Sequence, residues 1–342
     1  MIENMPTVTL SEAKGIIKAL AQRQSVLLLS PPGVGKSDVI NQAAMEAGLP
    51  CRSLLGTQIA PEDVSGIPRI VGERSVFCPP RVLLPEDPQP FCLFLDELPA
   101  CTPDIQKAFY SLLLERRLGE HPLPEGTWVV AAGNRAEDRS LVRSLSAALV
   151  NRVIILNVRV DVKEWLQWAD RSGVRQDIMA YIAFRNDALM RGVPATPTPF
   201  STPRAWTSLA RSLDLAEQAG ILTPEVCRAL AFGSISPEDA AVFCVFRDLK
   251  MDQLRPWHEY VSMTVSLPSD DTQRWFVHHA IREGIYLPNA AELLEPEKVN
   301  RFLNTLKSED RATLLLGNVR RWGELGASES ILATLKEITG ID

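Results

Sequence analysis

Gly33, Gly35, Lys36 and Ser37 stand close together in the run Ser-Val-Leu-Leu-Leu-Ser-Pro-Pro-Gly-Val-Gly-Lys-Ser over residues 25–37, where a short apolar segment breaks into a turn. Two glycines let backbone N–H groups close on a polyphosphate, and a helix that starts at such a cradle adds its positive end. The Lys36 ammonium suits the β- and γ-phosphates, and the Ser37 hydroxyl suits Mg²⁺. Pro32, Gly33, Val34, Gly35, Lys36, Ser37 and Asp38 are therefore the candidate nucleotide-binding residues. The pattern G-x-x-x-x-G-K-[ST] asks for glycine at position 30, where this chain has Ser30, so a strand–turn–helix without a ligand is the alternative at this point.

Further along, Phe91-Cys92-Leu93-Phe94-Leu95 runs into Asp96-Glu97. Five apolar residues in a row predict a strand buried on both faces, as in a parallel sheet. Carboxylates at its C-terminal end fall where open α/β sheets bind ligands. Asp96 is placed to hold Mg²⁺ and Glu97 to polarise an attacking water. A third strand, Thr127 to Gly133, ends on Asn134, whose amide can donate to a γ-phosphate and accept from water. Arg152 follows the segment Leu145 to Asn151 and precedes the apolar run Val153 to Leu156. It is either a finger for a neighbouring subunit's γ-phosphate or a structural ion-pair partner. Thr202-Pro203 reads as an N-cap and first helical residue, which leaves Arg204 in the first turn, opposing the helix dipole and calling for an anion.

With these residues in view, the chain resembles the MoxR-like AAA+ ATPases over residues 8–230, through the loop at 30–37, Asp96-Glu97, Gly133-Asn134, Leu145 to Arg152 and Thr202 to Ala205. The resemblance implies Asn134 as a first sensor, Arg152 as a trans-acting finger and Arg204 as a second sensor on a helical lid. It also implies ATP and Mg²⁺ as ligands and a homo-oligomeric ring, read as a hexamer. Asn151-Arg152-Val153 replaces the usual Asp-Arg-Phe, and Ser30 replaces glycine; neither removes a charge that touches phosphate. The stretch Gly133 to Arg139 resembles the subgroup paired with von Willebrand factor A-like partner proteins.

The elements that must position these residues follow from pattern. Thr9-Leu10-Ser11-Glu12 is a capping box opening a helix to about residue 22, and a second helix follows the loop to about Ala47. Cys51 to Leu55 reads as a strand, and Pro68 to Phe77 as a hairpin turning at Gly72-Glu73. That hairpin could line a ring's central channel, as in the family, or be a plain surface hairpin. Thr102-Pro103 starts a helix to about Arg117. The expected fold class is α/β: a AAA+ core with a five-stranded parallel sheet and helices on both faces, over residues 1–159. Strand signal ends near residue 160; Asp161 to Asp170 reads as a helix with Val162, Trp165 and Trp168 on one face, read as core. Residues 160–235 are expected to form the helical lid, with a loop at 192–202, and residues 236–342 a helical C-terminal extension that carries no motif.

At 342 residues, the chain is long enough for two domains with proper cores. Net charge of −6 counts against a generic nucleic-acid or anionic-membrane surface. No run is apolar enough to cross a bilayer, and Met1 to Met5 holds no signal-peptide core, so a cytoplasmic place is expected. The six cysteines form no C-x-x-C pair and read as reduced thiols, and the four histidines show no metal spacing. The leading expectation is a Mg²⁺-dependent ATPase ring that remodels or activates a protein client. A helicase-like nucleic-acid motor is the first alternative, with Arg69 and Arg74 flanking the hairpin turn. A nucleotide-gated scaffold is the second, and the intact Glu97 weighs against it.

Overall fold

A computed structural model describes residues 6–81, 83–135, 145–328 and 330–331. The chain divides into two compact units, Met1–Phe243 and Cys244–Asp342.

In the first unit a parallel sheet carries the site. Its strands are β1 (Thr7–Val8), β2 (Val26–Leu29), β3 (Cys51–Leu55), β6 (Cys92–Asp96), β9 (Trp128–Gly133) and β10 (Ile154–Val158), and their spatial order is β1-β10-β2-β9-β6-β3. The five strands read from the sequence are all present, and a sixth, β1, joins the edge beside β10. Two residues are too short to show a period-two pattern, so β1 is silent in the sequence. The central strands are sequestered as their unbroken apolar runs require: Val26 to Leu28, Leu93 and Val129 to Ala132 are fully buried, and Leu95 almost so.

Helices α1 (Leu10–Leu20) and α2 (Lys36–Glu46) pack on one face, where Ala13, Ile17, Ile40 and Ala43 meet Leu28, Phe94 and Val130. The capping box is formed, with Thr9 Oγ1 accepting from Glu12 N at 3.3 Å and Thr9 N donating to Glu12 Oε2 at 2.7 Å. On the other face α4 (Pro103–Glu115) lays Ile105, Phe109, Leu112 and Leu113 against Leu27, Leu95 and Val129. Thr102 takes its N-cap position without a side-chain hydrogen bond, so Pro103 rather than the hydroxyl marks this start. A short helix, α3 (Glu62–Ser65), leads into the expected hairpin of β4 (Ile67–Val71) and β5 (Arg74–Cys78). It turns at Gly72-Glu73 with Gly72 at φ +64°, as a two-residue hairpin turn demands. A second, smaller hairpin, β7 (Arg117–Leu118) with β8 (His121–Pro122), was not legible in the sequence.

After α5 (Ala147–Val150) and β10 the chain is helical: α6 (Val162–Arg171), α7 (Gln176–Phe184), α8 (Pro203–Gln218), α9 (Pro224–Ser234) and α10 (Pro237–Asp248). Tyr181, Trp206 and Phe243 pack against one another at 5.3–5.6 Å between ring centres, Phe243 edge-to-face with the other two, in the core of this part. Trp165 is buried and Trp168 half-buried, 6.4 Å apart, in keeping with a packing role.

The second unit is built of α11 (Trp257–Val261), α12 (Asp271–Gly284), α13 (Ala290–Leu293), α14 (Pro296–Thr305), α15 (Ser308–Leu315) and α16 (Val319–Glu324). Its own core gathers Val261, Val277, Ile281, Phe302, Leu314 and Trp322. Trp322 is fully buried with its indole N–H on Leu314 O, Trp257 half-buried, and Trp275 exposed.

Candidate active site

The site forms where β2, β6 and β9 end side by side. From β2 the chain turns through Gly33 (φ +77°) and Gly35 (φ +111°), and α2 begins at Lys36 with Gly35 as its N-cap. Both angles lie in the region glycine enters freely, and α2 directs its free N–H groups into the turn. Lys36 is buried, and its Nζ donates to Ser30 O (3.2 Å), Ser30 Oγ (3.0 Å), Pro31 O (3.1 Å) and Asn134 Oδ1 (3.0 Å). These neutral oxygens occupy the surroundings a phosphate would share. Ser30, the departure from the glycine pattern, adds a hydroxyl to that cage, and this same Oγ donates to Pro31 O at 2.9 Å.

The acidic pair sits across from the cradle. Ser37 Oγ donates to Asp96 Oδ2 at 3.3 Å, which brings together the hydroxyl and carboxylate a magnesium ion would take. Glu97 has φ +57°, a left-handed angle that costs a non-glycine residue about 1–2 kcal/mol, and its N–H donates to Asp96 Oδ1 at 2.9 Å. Strain of this kind is kept where it aims a side chain. The Glu97 carboxylate accepts from Thr57 Oγ1 at 2.9 Å, a contact that spans β3 and β6 and that no sequence motif announces. Beneath it Cys101 Sγ donates to Glu97 O at 3.6 Å; burial, with the Glu97 charge adding, pushes this thiol up to about 11, so it stays neutral.

Asn134 follows Gly133, whose missing side chain leaves room for Pro99: an added Cβ would lie 2.1 Å from Pro99 Cδ. That close approach seats the end of β9 on the turn after Glu97 and delivers the Asn134 amide to Lys36. Val34 packs into the core, and Asp38 is exposed in the first turn of α2, so what they offer a nucleotide is backbone.

Arg204 opens α8, whose N-cap Thr202 accepts from Ala205 N at 3.1 Å. The Arg204 N–H donates to Gly33 O at 3.0 Å, so the helix start rests on the phosphate loop. The guanidinium is exposed and lines a cleft of about 490 Å³ with Pro32, Gly33, Phe200 and Ser208.

Arg152 is elsewhere. It precedes Ile154, which pairs with Val26 at the start of β2, whereas the phosphate loop leaves the other end of that strand. At ~3.3 Å per residue the strand alone sets them on the order of 10 Å apart. Arg152 Nη1 donates to Ala148 O at 2.7 Å, and its guanidinium lies over the Tyr110 ring at 5.1 Å. The Tyr110 hydroxyl meets Ser146 Oγ, the cap of α5, at 2.6 Å. Among the described residues no carboxylate pairs with Arg152. The structure thus gathers Lys36, Ser37, Asp96, Glu97 and Asn134 in one cluster, sets Arg204 at its rim and leaves Arg152 outside it. Of the stretch Gly133 to Arg139, residues 136–139 lie outside the described residues.

The parallel sheet, the loop-to-helix cradle and the acidic strand end define a AAA+ P-loop NTPase fold with a helical C-terminal region. In agreement, residues 25–156 match the AAA domain family, dynein-related subfamily, which sets the class of the activity as ATP hydrolysis. Curated proteins give no match. Among solved structures the chain is similar to the RuvB Holliday junction branch migration motor of Thermotoga maritima, at 18% identity over 75% of this chain and 74% of that one, with a TM-score of 0.42. It is similar also to NtrX of Brucella abortus, at 14% identity over 73% and 69% of the two chains, with a TM-score of 0.33. These scores describe a loose likeness of fold, and the assignment rests on the topology and the site themselves.

Proposed function

We propose that the chain is a Mg²⁺-dependent ATPase of the MoxR type, working as a homo-oligomeric ring, a hexamer, whose hydrolysis remodels or activates a protein partner. The observation that carries this reading is the Lys36 cage joined to Asn134 beside the Ser37–Asp96 pair. Ser37 and Asp96 would hold Mg²⁺, which would supply charge neutralisation for the phosphates. Gly33, Gly35 and the start of α2 bind the phosphates through backbone N–H groups, with Pro32, Val34 and Asp38 completing the loop. Lys36 exchanges its neutral oxygens for phosphate oxygens. Glu97 takes the proton of the attacking water once Thr57 releases or shares its carboxylate, and Asn134 orients that water.

Arg152 belongs to this chemistry in the neighbour's site. It stands at the opposite end of β2 from its own loop, it is half-buried, and it lacks a carboxylate partner among the described residues. Arg204, on α8 in a lid of residues 160–235, senses the γ-phosphate and couples hydrolysis to lid movement. A protein client, a von Willebrand factor A-like partner in particular, is preferred to nucleic acid. The exposed hairpin offers Ile67, Ile70, Val71 and Val76 beside Arg69 and Arg74, a surface more apolar than a phosphate backbone asks for. Among the described residues no helix is long and apolar enough to cross a membrane, and all six cysteines are free, which fits the cytoplasmic placement proposed here.

The test is complementation. Arg152→Ala and Glu97→Gln each lose nearly all ATPase activity alone, and mixing them restores part of it, because a mixed ring holds sites with both groups intact. A silent mixture, together with a native rate per subunit that is unchanged on dilution, refutes shared sites and leaves a self-contained nucleotide switch.

A further inference from the structure

The small hairpin of β7 and β8 is wedged against the base of the exposed β4–β5 hairpin at two points. His121 Nε2 lies 2.8 Å from Phe77 O, and since a carbonyl only accepts, the imidazole N–H donates. Two residues earlier, Gly119 has φ +55°, and an added Cβ there would lie 2.6 Å from Ser65 O, at the end of α3 where the hairpin begins. The hairpin's two legs are themselves closed tightly at that base, since a Cβ on Gly66 would fall 2.3 Å from Cys78 O. The β7–β8 hairpin therefore meets the base of the larger one on both sides, by the close approach of Gly119 to Ser65 just before the first leg and by the His121 bond to Phe77 in the second.

The other end of the same segment is the catalytic glutamate. Glu97 leads through a single 3-10 turn, Leu98–Ala100, into α4, and α4 runs without a break to Glu115, directly before β7. Ile105, Phe109, Leu112 and Leu113 pack along α4 into the core, which makes it a stiff element. At its far end Arg116 holds φ +54° and donates to Thr127 O (2.7 Å), just before β9, and to Ala21 O (2.8 Å), at the end of α1, which sets the direction in which the chain leaves α4. A change in the set of Glu97 has a stiff covalent path through α4 to the β7–β8 hairpin, and the His121 hydrogen bond joins that path to Phe77.

We propose that His121 is a positioning residue that couples the nucleotide site to the β4–β5 hairpin, through its hydrogen bond to Phe77 O. The proposal rests on the ATPase reading above and adds to it the residue through which the nucleotide state is passed to the surface that meets the client. His121 touches none of the reacting groups, so its loss separates hydrolysis from hairpin movement.

The experiment is hydrogen exchange of the full chain with ADP and with a slowly hydrolysed ATP analogue, followed in peptides from the phosphate loop and from residues 67–78. In the native chain both regions change between the two nucleotides. His121→Phe keeps the ring volume and removes the donor; it retains the change at the phosphate loop and the basal ATPase rate, and loses the change at residues 67–78. His121→Gln, whose Nε2 can donate to the same carbonyl, recovers it. A purely structural role would loosen the hairpin equally with either nucleotide, which the difference between the two does not report. The proposal is overturned if His121→Phe keeps the native difference in the hairpin. It is equally overturned if the native hairpin is indifferent to nucleotide while the phosphate loop responds. If the phosphate loop of the native chain does not respond either, the ATPase reading fails and the coupling falls with it.

Discussion

Gly33→Ala tests whether the start of α8 truly rests on the phosphate loop. At φ +77° an alanine costs about 1–2 kcal/mol in backbone strain. Its Cβ would also lie 2.6 Å from Thr202 Oγ1 and 2.9 Å from Thr202 Cβ. Thr202 must swing away, and its hydroxyl then no longer caps Ala205 N, a loss of about 1 kcal/mol. The expected total is about 2–3 kcal/mol, of which only the second part depends on Thr202. Thr202→Gly removes the atoms in the way and costs only about a few tenths of a kcal/mol as a cap. In the double variant the strain remains and the collision is gone, so the two changes couple by about 1 kcal/mol, beyond the ~0.3–0.5 kcal/mol scatter of independent sites. Thermal unfolding followed by circular dichroism gives the stability cycle. Titration with a fluorescent nucleotide gives the same cycle in affinity, where about 1 kcal/mol is roughly a fivefold change in Kd. Strict additivity in both would mean that α8 does not sit on the loop in solution, and the place assigned to Arg204 would go with it.

Arg204→Ala weakens nucleotide binding but leaves unfolding within about 0.5 kcal/mol of native, because the contact to Gly33 is made by the backbone N–H; a large loss of stability would contradict this. Tyr110→Ala removes the ring under the Arg152 guanidinium, worth about 0.5–1 kcal/mol, and lowers the native ATPase rate roughly two- to fivefold, while Tyr110→Phe keeps the ring and the rate. Equal rates for both variants would argue against Arg152 being held by Tyr110. In the second unit, burial pushes His278 below its ordinary 6.5; nearby Asp310 pulls it up and Arg274 down, and its Nε2, 3.7 Å from Asp310 Oδ1, has no hydrogen-bond partner among the described residues. A depressed folded-state value means the unfolded chain binds the proton first, so stability is fullest above 6.5 and declines as pH falls towards the folded value. Intrinsic amide exchange slows as pH falls, so the readout is protection: corrected for the intrinsic rates, protection of the α12 amides should decrease from pH 7 to pH 5, and His278→Leu should flatten that trend; a native profile without it refutes the assignment.

The sequence by itself determined the order and kind of the central elements, because the signals are local. Uninterrupted apolar runs such as Phe91 to Leu95, short and ending on turn or acidic residues, fit a strand covered on both faces. Glycines at 33 and 35 followed by Lys36-Ser37, with an acidic strand end further on, favour nucleotide chemistry from local pattern alone. Thr9, Gly72 and Thr202 marked boundaries through capping and turn geometry, which depend on residues three or four apart. Only the tertiary structure decided contacts that span long stretches of chain. Thr57 reaches Glu97 because β3 and β6 pair in register, and Thr202 fills the space Gly33 leaves open. His121 meets Phe77 through two hairpins, one too short to leave a periodic trace. The same holds for Arg152: its type and neighbours suggested a finger or an ion pair, but the register of Ile154 on Val26 set it at the far end of the strand from its own loop. Local propensity and pattern act over one turn or one strand, whereas these pairings are fixed by the packing of the whole sheet, which no short window contains.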